Sequence, residues 1–247
     1  MQAIVTEKTA VGKLAAEYPA AARVFENLGI DYCCGGSKTL EEACREAGLP
    51  LDWLRNSLDS ALSATARPAQ ERDWNTALLA DLIAHIRSAH HQFTRTQIAR
   101  LDSLFGQVFL VHGKSHPELA KMQATFGGLA QELSTHMIKE EMVLFPYIEH
   151  MEEAVLEQSP VLPAPFGTVR NPVAMMISEH DGAGEALREM RASSNGYTVP
   201  PDACASYRAL YQALAEFEAD LHHHIHLENN LLFPRAVEMQ RESARRR

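Results

Sequence analysis

Two pairs of residues in this chain have the types and spacing of metal ligands. The stretch His136-Met-Ile-Lys-Glu140, followed by Leu144-Phe145-Pro146, returns 88 positions later as His224-Ile-His-Leu-Glu228 and Leu232-Phe233-Pro234. A His and a Glu four residues apart project from one face of a helix, so each pair offers an imidazole nitrogen and a carboxylate to a single point. The same shift aligns Leu129 with Phe217 and Leu133 with Leu221. Leu129, Leu133, His136, Glu140 and Leu144 therefore share a stripe that enters the core. A carboxylate buried there without a partner costs several kcal/mol, on the order of a lost charge–solvent interaction. Two metal cations shared between the two helices remove that cost.

The elements that must position these pairs are helices. Strand signals are nearly absent, and helical periodicity predicts four long helices over roughly 75–104, 117–150, 172–193 and 202–239, with Pro117, Pro172 and Pro201 at their starts. The expectation is an all-α four-helix bundle over 75–240. If helices two and four each give His and Glu, helices one and three must complete the set. Helix three offers His180, and helix one offers His85, His90 and His91. His91 lies 45 positions before His136, as His180 lies 44 before His224, yet the stripe Leu79–Ile83–Ile86 points more directly at His90. His222 and His226 form a competing i, i+4 pair that only the repeat disfavours. With both carboxylates bridging, four imidazoles and two carboxylates give each of two cations two nitrogens and two oxygens, a set that suits iron or manganese better than zinc.

Ahead of the bundle, residues 1–65 read as a small helical domain. Leu14, Ala21, Val24, Phe25 and Leu28 form a stripe ended by Gly29. Thr39-Leu-Glu-Glu42 is a capping box whose helix closes at Gly48, and a further helix from about Asp52 turns Trp53, Leu54 and Leu58 inward. Residues 66–74 read as a polar, Pro-containing linker, and 241–247 as a solvated basic tail. Twelve histidines among 247 residues favour metal binding, while a net charge of −9 argues against nucleic acid. No apolar run has the length of a membrane span and the first residues lack a signal-peptide core, so the expected location is cytoplasmic and the expected partners exclude membrane. Four cysteines, two of them adjacent, do not form a secreted disulfide framework.

With these residues in view, the C-terminal two-thirds resembles the hemerythrin-like (His-His-Glu) domain, and the whole chain resembles the repair-of-iron-centres family. Asp31-Tyr-Cys-Cys-Gly-Gly36 carries the resemblance in the small domain. His90-His-x3-Arg95, Val111-His-Gly-Lys-Ser-His-Pro-Glu118, Glu179-His-Asp-x-Ala-Gly-Glu185 and Leu227-Glu-Asn-Asn230 carry it in the bundle. The resemblance implies a non-haem, oxo-bridged pair of iron ions held by His91, His136, Glu140, His180, His224 and Glu228, and so selects His91 over His90. Where the family often has Tyr before the helix-one ligand, this chain has His90. Oxygen-carrying hemerythrins use a five-His set; four His with two Glu make a harder site, from which iron would leave more readily.

The function implied is repair of iron–sulfur clusters damaged by nitrosative or oxidative stress, by iron donation. Damaged iron–sulfur proteins are then the partners, nitric oxide or oxygen the small ligands, and a homodimer is compatible with the family. Two alternatives belong to other classes: a di-iron enzyme that binds and reduces nitric oxide, and an oxygen- or NO-sensing module. Against the sensor, no output segment is visible; against a di-iron oxygenase, the pairs here are His-x3-Glu, not Glu-x2-His. Taken alone, Cys33 and Cys34 are equally compatible with two small apolar residues packed in a turn. Adjacent cysteines seldom make a relaxed disulfide. The resemblance makes them an exposed thiol pair that handles iron in transit, with thiolate favoured if the turn aims the sulfurs at the helix that follows Thr39. Cys44 and Cys204 are expected to be ordinary helix residues.

Overall fold

The computed structural model describes residues 6–64 and 73–245. Among the described residues the small domain holds four helices: α1 (Val11–Glu17), α2 (Pro19–Leu28), α3 (Leu40–Ala47) and α4 (Leu51–Ala64). The expected single stripe from Leu14 to Leu28 is divided between α1 and α2, because Pro19 lacks the N–H that would continue α1 and instead opens a new helix. Thr39 and Glu42 form the reciprocal capping box of α3, and Gly48 closes it in the left-handed conformation. Leu54 and Leu58 are fully buried, but Trp53 is 48% exposed and does not enter this core. Most of the expected linker lies outside the described residues.

Four helical rods form the bundle. The first joins α5 (Leu79–His85), a π-helical turn π1 (Ile86–His91) and α6 (Gln92–His112). The second joins α7 (Glu118–Lys139), π2 (Glu140–Leu144) and α8 (Phe145–Leu156), and the third is α9 (Arg170–Ser193). The fourth joins α10 (Ala205–Leu227), π3 (Glu228–Leu232) and α11 (Phe233–Arg245). The first rod runs to His112, past the expected end near 104. Pro201 lies within a turn, and the fourth rod starts later, at Ala205, behind Cys204. The all-helical expectation otherwise holds among the described residues, and none of their helices is long and apolar enough to cross a membrane.

Packing is pairwise: α6 lies on α10 and α7 on α9. One apolar cluster fills the end of the bundle built from Leu101, Phe105, Phe126, Leu129, Leu133, Leu210 and Leu221. A second fills the other end with Leu82, Ile86, Leu144, Phe145, Leu227 and Phe233. The three π turns give Ile86, Leu144, Leu231 and Leu232 to the second cluster, while their polar side chains interrupt the core beside it. The small domain docks beside that level. Gly12 donates its N–H to the Gly36 carbonyl, and a Cβ on either glycine would come within 2.6 Å of the Asn230 side chain in π3. Asn230 Nδ2 in turn donates to the Tyr32 carbonyl oxygen at 3.2 Å.

Candidate metal centre

Each packed helix pair contributes two histidines. On the α6–α10 side, His91 Nε2 and His224 Nε2 are 3.2 Å apart; on the α7–α9 side, His136 Nε2 and His180 Nε2 are 3.0 Å apart. Glu140 and Glu228 stand between the two pairs and contact both. Glu140 Oε2 is 3.4 Å from His91 Nε2 and 3.3 Å from His136 Nε2. Glu228 reaches His224 Nε2 through Oε1 and His180 Nε2 through Oε2, each at 3.1 Å. The donors thus fall into two groups, His91–Glu140–His224–Glu228 and His136–Glu140–His180–Glu228, with the carboxylates common to both.

The π turns explain which residues arrive here. An α-helical stripe through Leu79, Ile83 and Ile86 continues at His90, but the wider π1 turn inserts one residue and delivers His91 in its place. His90, at 4% exposure, turns aside and pairs its Nδ1 with Asp220 at 3.0 Å. The π2 and π3 turns begin at Glu140 and Glu228 themselves. His226 faces the small domain, with its ring against Tyr32 and its Nδ1 accepting from Asn230. The competing His222–His226 pair is therefore not built into this cluster.

A second layer of acceptors fixes three of the four rings. His91 Nδ1 meets Glu141 Oε1 at 2.7 Å, His136 Nδ1 meets Glu179 Oε2 at 2.8 Å, and His180 Nδ1 meets Asn229 Oδ1 at 2.8 Å. An acceptor on Nδ1 keeps the proton there and leaves the Nε2 lone pair facing inward. Arg95 holds Glu141 at 2.8 Å, and Lys139 holds Glu179. Burial opposes ionisation of both acceptors, but His91 and Arg95 keep Glu141 below the usual carboxylate range, as Lys139 and His136 do for Glu179. Sequence reasoning gave these residues no role. The signal was present, since Arg95, Glu179, Asn229 and Asn230 all lie in the motifs quoted above.

Two inward-facing imidazoles with lone pairs 3.0–3.2 Å apart repel unless positive charge lies between them. Glu140 and Glu228 are completely buried, and both oxygens of Glu140 and Oε2 of Glu228 lack a directed hydrogen bond. Without a cation, the charge must be protons. Burial alone would lower His91, but the facing Glu140 and Glu228 carboxylates override it and raise His91 to about 10. Burial likewise opposes, and Glu140 overrides, at His136, raised to about 9. The carboxylates in return stay ionised: against burial, the facing imidazoles pull both below the usual range. The chemistry of the donor set and its unsatisfied buried oxygens fit metal cations.

Comparisons with known proteins agree with this geometry. Residues 81–236 match the hemerythrin HHE cation binding domain, and residues 7–62 match a domain of unknown function, DUF542. The chain belongs to the hemerythrin HHE family. Within it, the chain is similar along its length to proteins named iron–sulfur cluster repair protein YtfE. That of Cronobacter sakazakii is 39% identical, over 92% of this chain and 95% of the relative. Those of Pectobacterium atrosepticum and Citrobacter koseri are each 37% identical, over 92% of this chain and 96% of the relative. Both domains of this family member are thus shared with these relatives, in the same chain.

The cysteine loop of the small domain meets the centre at its His180 side. Asp31 Oδ1 accepts the backbone N–H groups of Cys33, Cys34 and Gly35 at 3.2, 3.0 and 2.9 Å, which folds the loop tightly over its side chain. Both cysteines are free thiols, but Cys33 is buried and Cys34 half-buried, in place of the expected exposed pair. The sulfurs do not serve the N-terminus of α3, whose Thr39 and Glu42 cap it themselves. The hydrogen bond to Cys34, burial and the Asp31 carboxylate push the Cys33 thiol well above its ordinary range. Cys44 is buried in α3, and Cys204 is exposed ahead of α10 rather than inside a helix.

Proposed function

We propose that His91, His136, Glu140, His180, His224 and Glu228 hold two iron ions, with Glu140 and Glu228 shared between them. We propose further that the protein repairs damaged iron–sulfur clusters by supplying that iron. One observation carries the reading: six buried donors converge in two groups around two common carboxylates, three of whose four oxygens have no directed hydrogen bond. The names of the relatives support the repair role, and the mixed nitrogen–oxygen set supports iron over zinc. Bound iron would supply a redox-active, exchangeable metal in this reading.

The protein's own residues do the rest. Glu141, Glu179 and Asn229 orient three imidazoles, and the two apolar clusters exclude water from the level of the ligands. Cys33 and Cys34, together with Asp31, offer donors within 4.8 Å of one another beside His180, a place for iron in transit. The division proposed is a small domain that handles iron and a bundle that stores it, acting in the cytoplasm on iron–sulfur proteins under nitrosative or oxidative stress.

The test is metal analysis and absorption on untagged protein, followed by recovery of an oxidised [4Fe–4S] protein. Two irons per chain, near-ultraviolet bands lost in His136→Ala and His224→Ala, and recovery lost in Cys33→Ser/Cys34→Ser with iron content intact are expected. Zinc or a single metal would overturn the centre. Normal recovery by the double serine variant would overturn the role of the thiols.

A further inference from the structure

A further cluster of metal-ligating side chains lies at the end of the bundle remote from the centre. One nitrogen of His112, one of His116 and a carboxylate oxygen of Asp202 lie within 4.8 Å of one another. They come from three places: His112 ends α6, His116 lies just before α7, and Asp202 lies in the turn before α10. His112 follows His91 by 21 positions of continuous helix, so the cluster is about 30 Å from the centre at 1.5 Å per residue. It shares no residue with it.

Three features set this cluster apart from a surface ion pair. His112 is only 8% exposed, and its Nε2 is buried without a hydrogen-bond partner. His116 presents Nδ1 to Glu118 Oε1 at 2.9 Å and Nε2 to both oxygens of Asp202, at 3.1 and 3.2 Å. With its Nδ1–H donated in a hydrogen bond to Glu118, a neutral His116 faces Asp202 with a lone pair, acceptor against acceptor, unless a second proton or a cation intervenes. This is the arrangement seen at His91–Glu141 and His136–Glu179, where a carboxylate behind the ring aims Nε2 at the metal position. Rings of His112 and His116 both rest on buried Tyr207, 5.2 and 5.3 Å between centroids, which limits their freedom to turn away.

The geometry points to a separate, independent cation site, formed by His112, His116 and Asp202 with Glu118 behind His116, that takes a zinc-class divalent ion. A tetrahedron with bonds of 2.0–2.1 Å has edges of about 3.3–3.4 Å, close to the present His116–Asp202 separation. Two imidazoles, one carboxylate and a water complete four-coordination, a set that suits zinc or cobalt(II) and lacks the second carboxylate of the iron centre. Bound there, the ion ties the α6–α7 connection to the start of α10.

The experiment titrates cobalt(II) into the iron-loaded full-length protein at pH 7.5, following d–d absorption, with iron content measured before and after. One equivalent of four-coordinate cobalt, displaced by zinc and taken up without loss of iron, is expected. His116→Gln should abolish it and Glu118→Gln weaken it by about 10–100-fold. Asp202→Asn, at an exposed position, tests the site without threatening the fold and should weaken binding at least about tenfold, for loss of one anionic ligand. No uptake by the wild type, or uptake unaltered in His116→Gln and Asp202→Asn, would overturn the site and leave a proton-mediated clamp.

Discussion

The Sγ of Cys34 lies 3.4 Å from the backbone carbonyl oxygen of His180. The small domain therefore touches the helix that supplies a candidate ligand at the residue that supplies it. Asn229 reinforces the contact: its Oδ1 accepts from His180 Nδ1 at 2.8 Å, while its Nδ2 reaches the Cys33 carbonyl at 3.5 Å. Through these two contacts, displacement of the cysteine loop should be felt at the His180 ring, the route for metal transfer that the proposed function requires.

The π1 turn makes an unequal prediction for adjacent histidines. His91→Ala removes a donor at the level of the shared carboxylates and should abolish binding at one of the two positions. His90→Ala should retain full metal content, since His90 pairs with Asp220 instead. Metal analysis of the two variants decides the matter, and equal loss in both would contradict the register.

The acceptors behind the rings should matter nearly as much as the ligands. Glu141→Ala or Glu179→Ala frees His91 or His136 to rotate or change tautomer, and metal affinity should fall by about 10–100-fold with helical content unchanged. Competition against a chelator of known affinity measures the loss.

Removing metal should make the protein sensitive to alkali. His91 and His136 are raised in the metal-free fold to about 10 and about 9, from an ordinary 6.5. Below about 6.5 folded and unfolded chains both bind these protons, and the stabilisation is fully present. Between there and pH 9–10 only the folded chain retains them, so stability is progressively lost as pH rises through that window. The Tm of metal-free protein should drop by roughly 5 °C or more across it. Metal-loaded protein, whose rings carry no such protons, should not show this drop in a thermal melt.

Gly12 and Gly36 flank Asn230 so closely that a methyl group on either would collide with its side chain. Gly36→Ala should lift the small domain from π3 and raise the rate of Cys33 alkylation by about tenfold or more, through local opening. Mass spectrometry separates this from Cys204, exposed already and expected to react at an unchanged rate.

Much of the site was legible because its periodicities are local. His136–Glu140 and His224–Glu228 are helix neighbours within one rod, and their shared apolar stripes fixed which face they occupy. The capping box at Thr39–Glu42 was equally local, and the repeat announced two equivalent halves. The pairing of His91 with His224 and of His136 with His180 depended instead on which helices lie together. So did the choice of His91 over His90, because a π turn costs backbone hydrogen-bond geometry that only surrounding packing can repay, and an ideal 3.6-residue period does not reveal it. Trp53 faced the wrong way for a similar reason: a helix stripe states what is apolar, while the neighbours decide how much of it is covered. The roles of Glu141, Glu179 and Asn229 and the burial of Cys33 against the bundle were settled by contacts between residues far apart in the chain. Sequence by itself determined the helices, the candidate ligand types and their spacing, since these rest on interactions within a few residues. Tertiary structure decided which lone pairs meet and which thiols are hidden, since these rest on distances that no local period encodes.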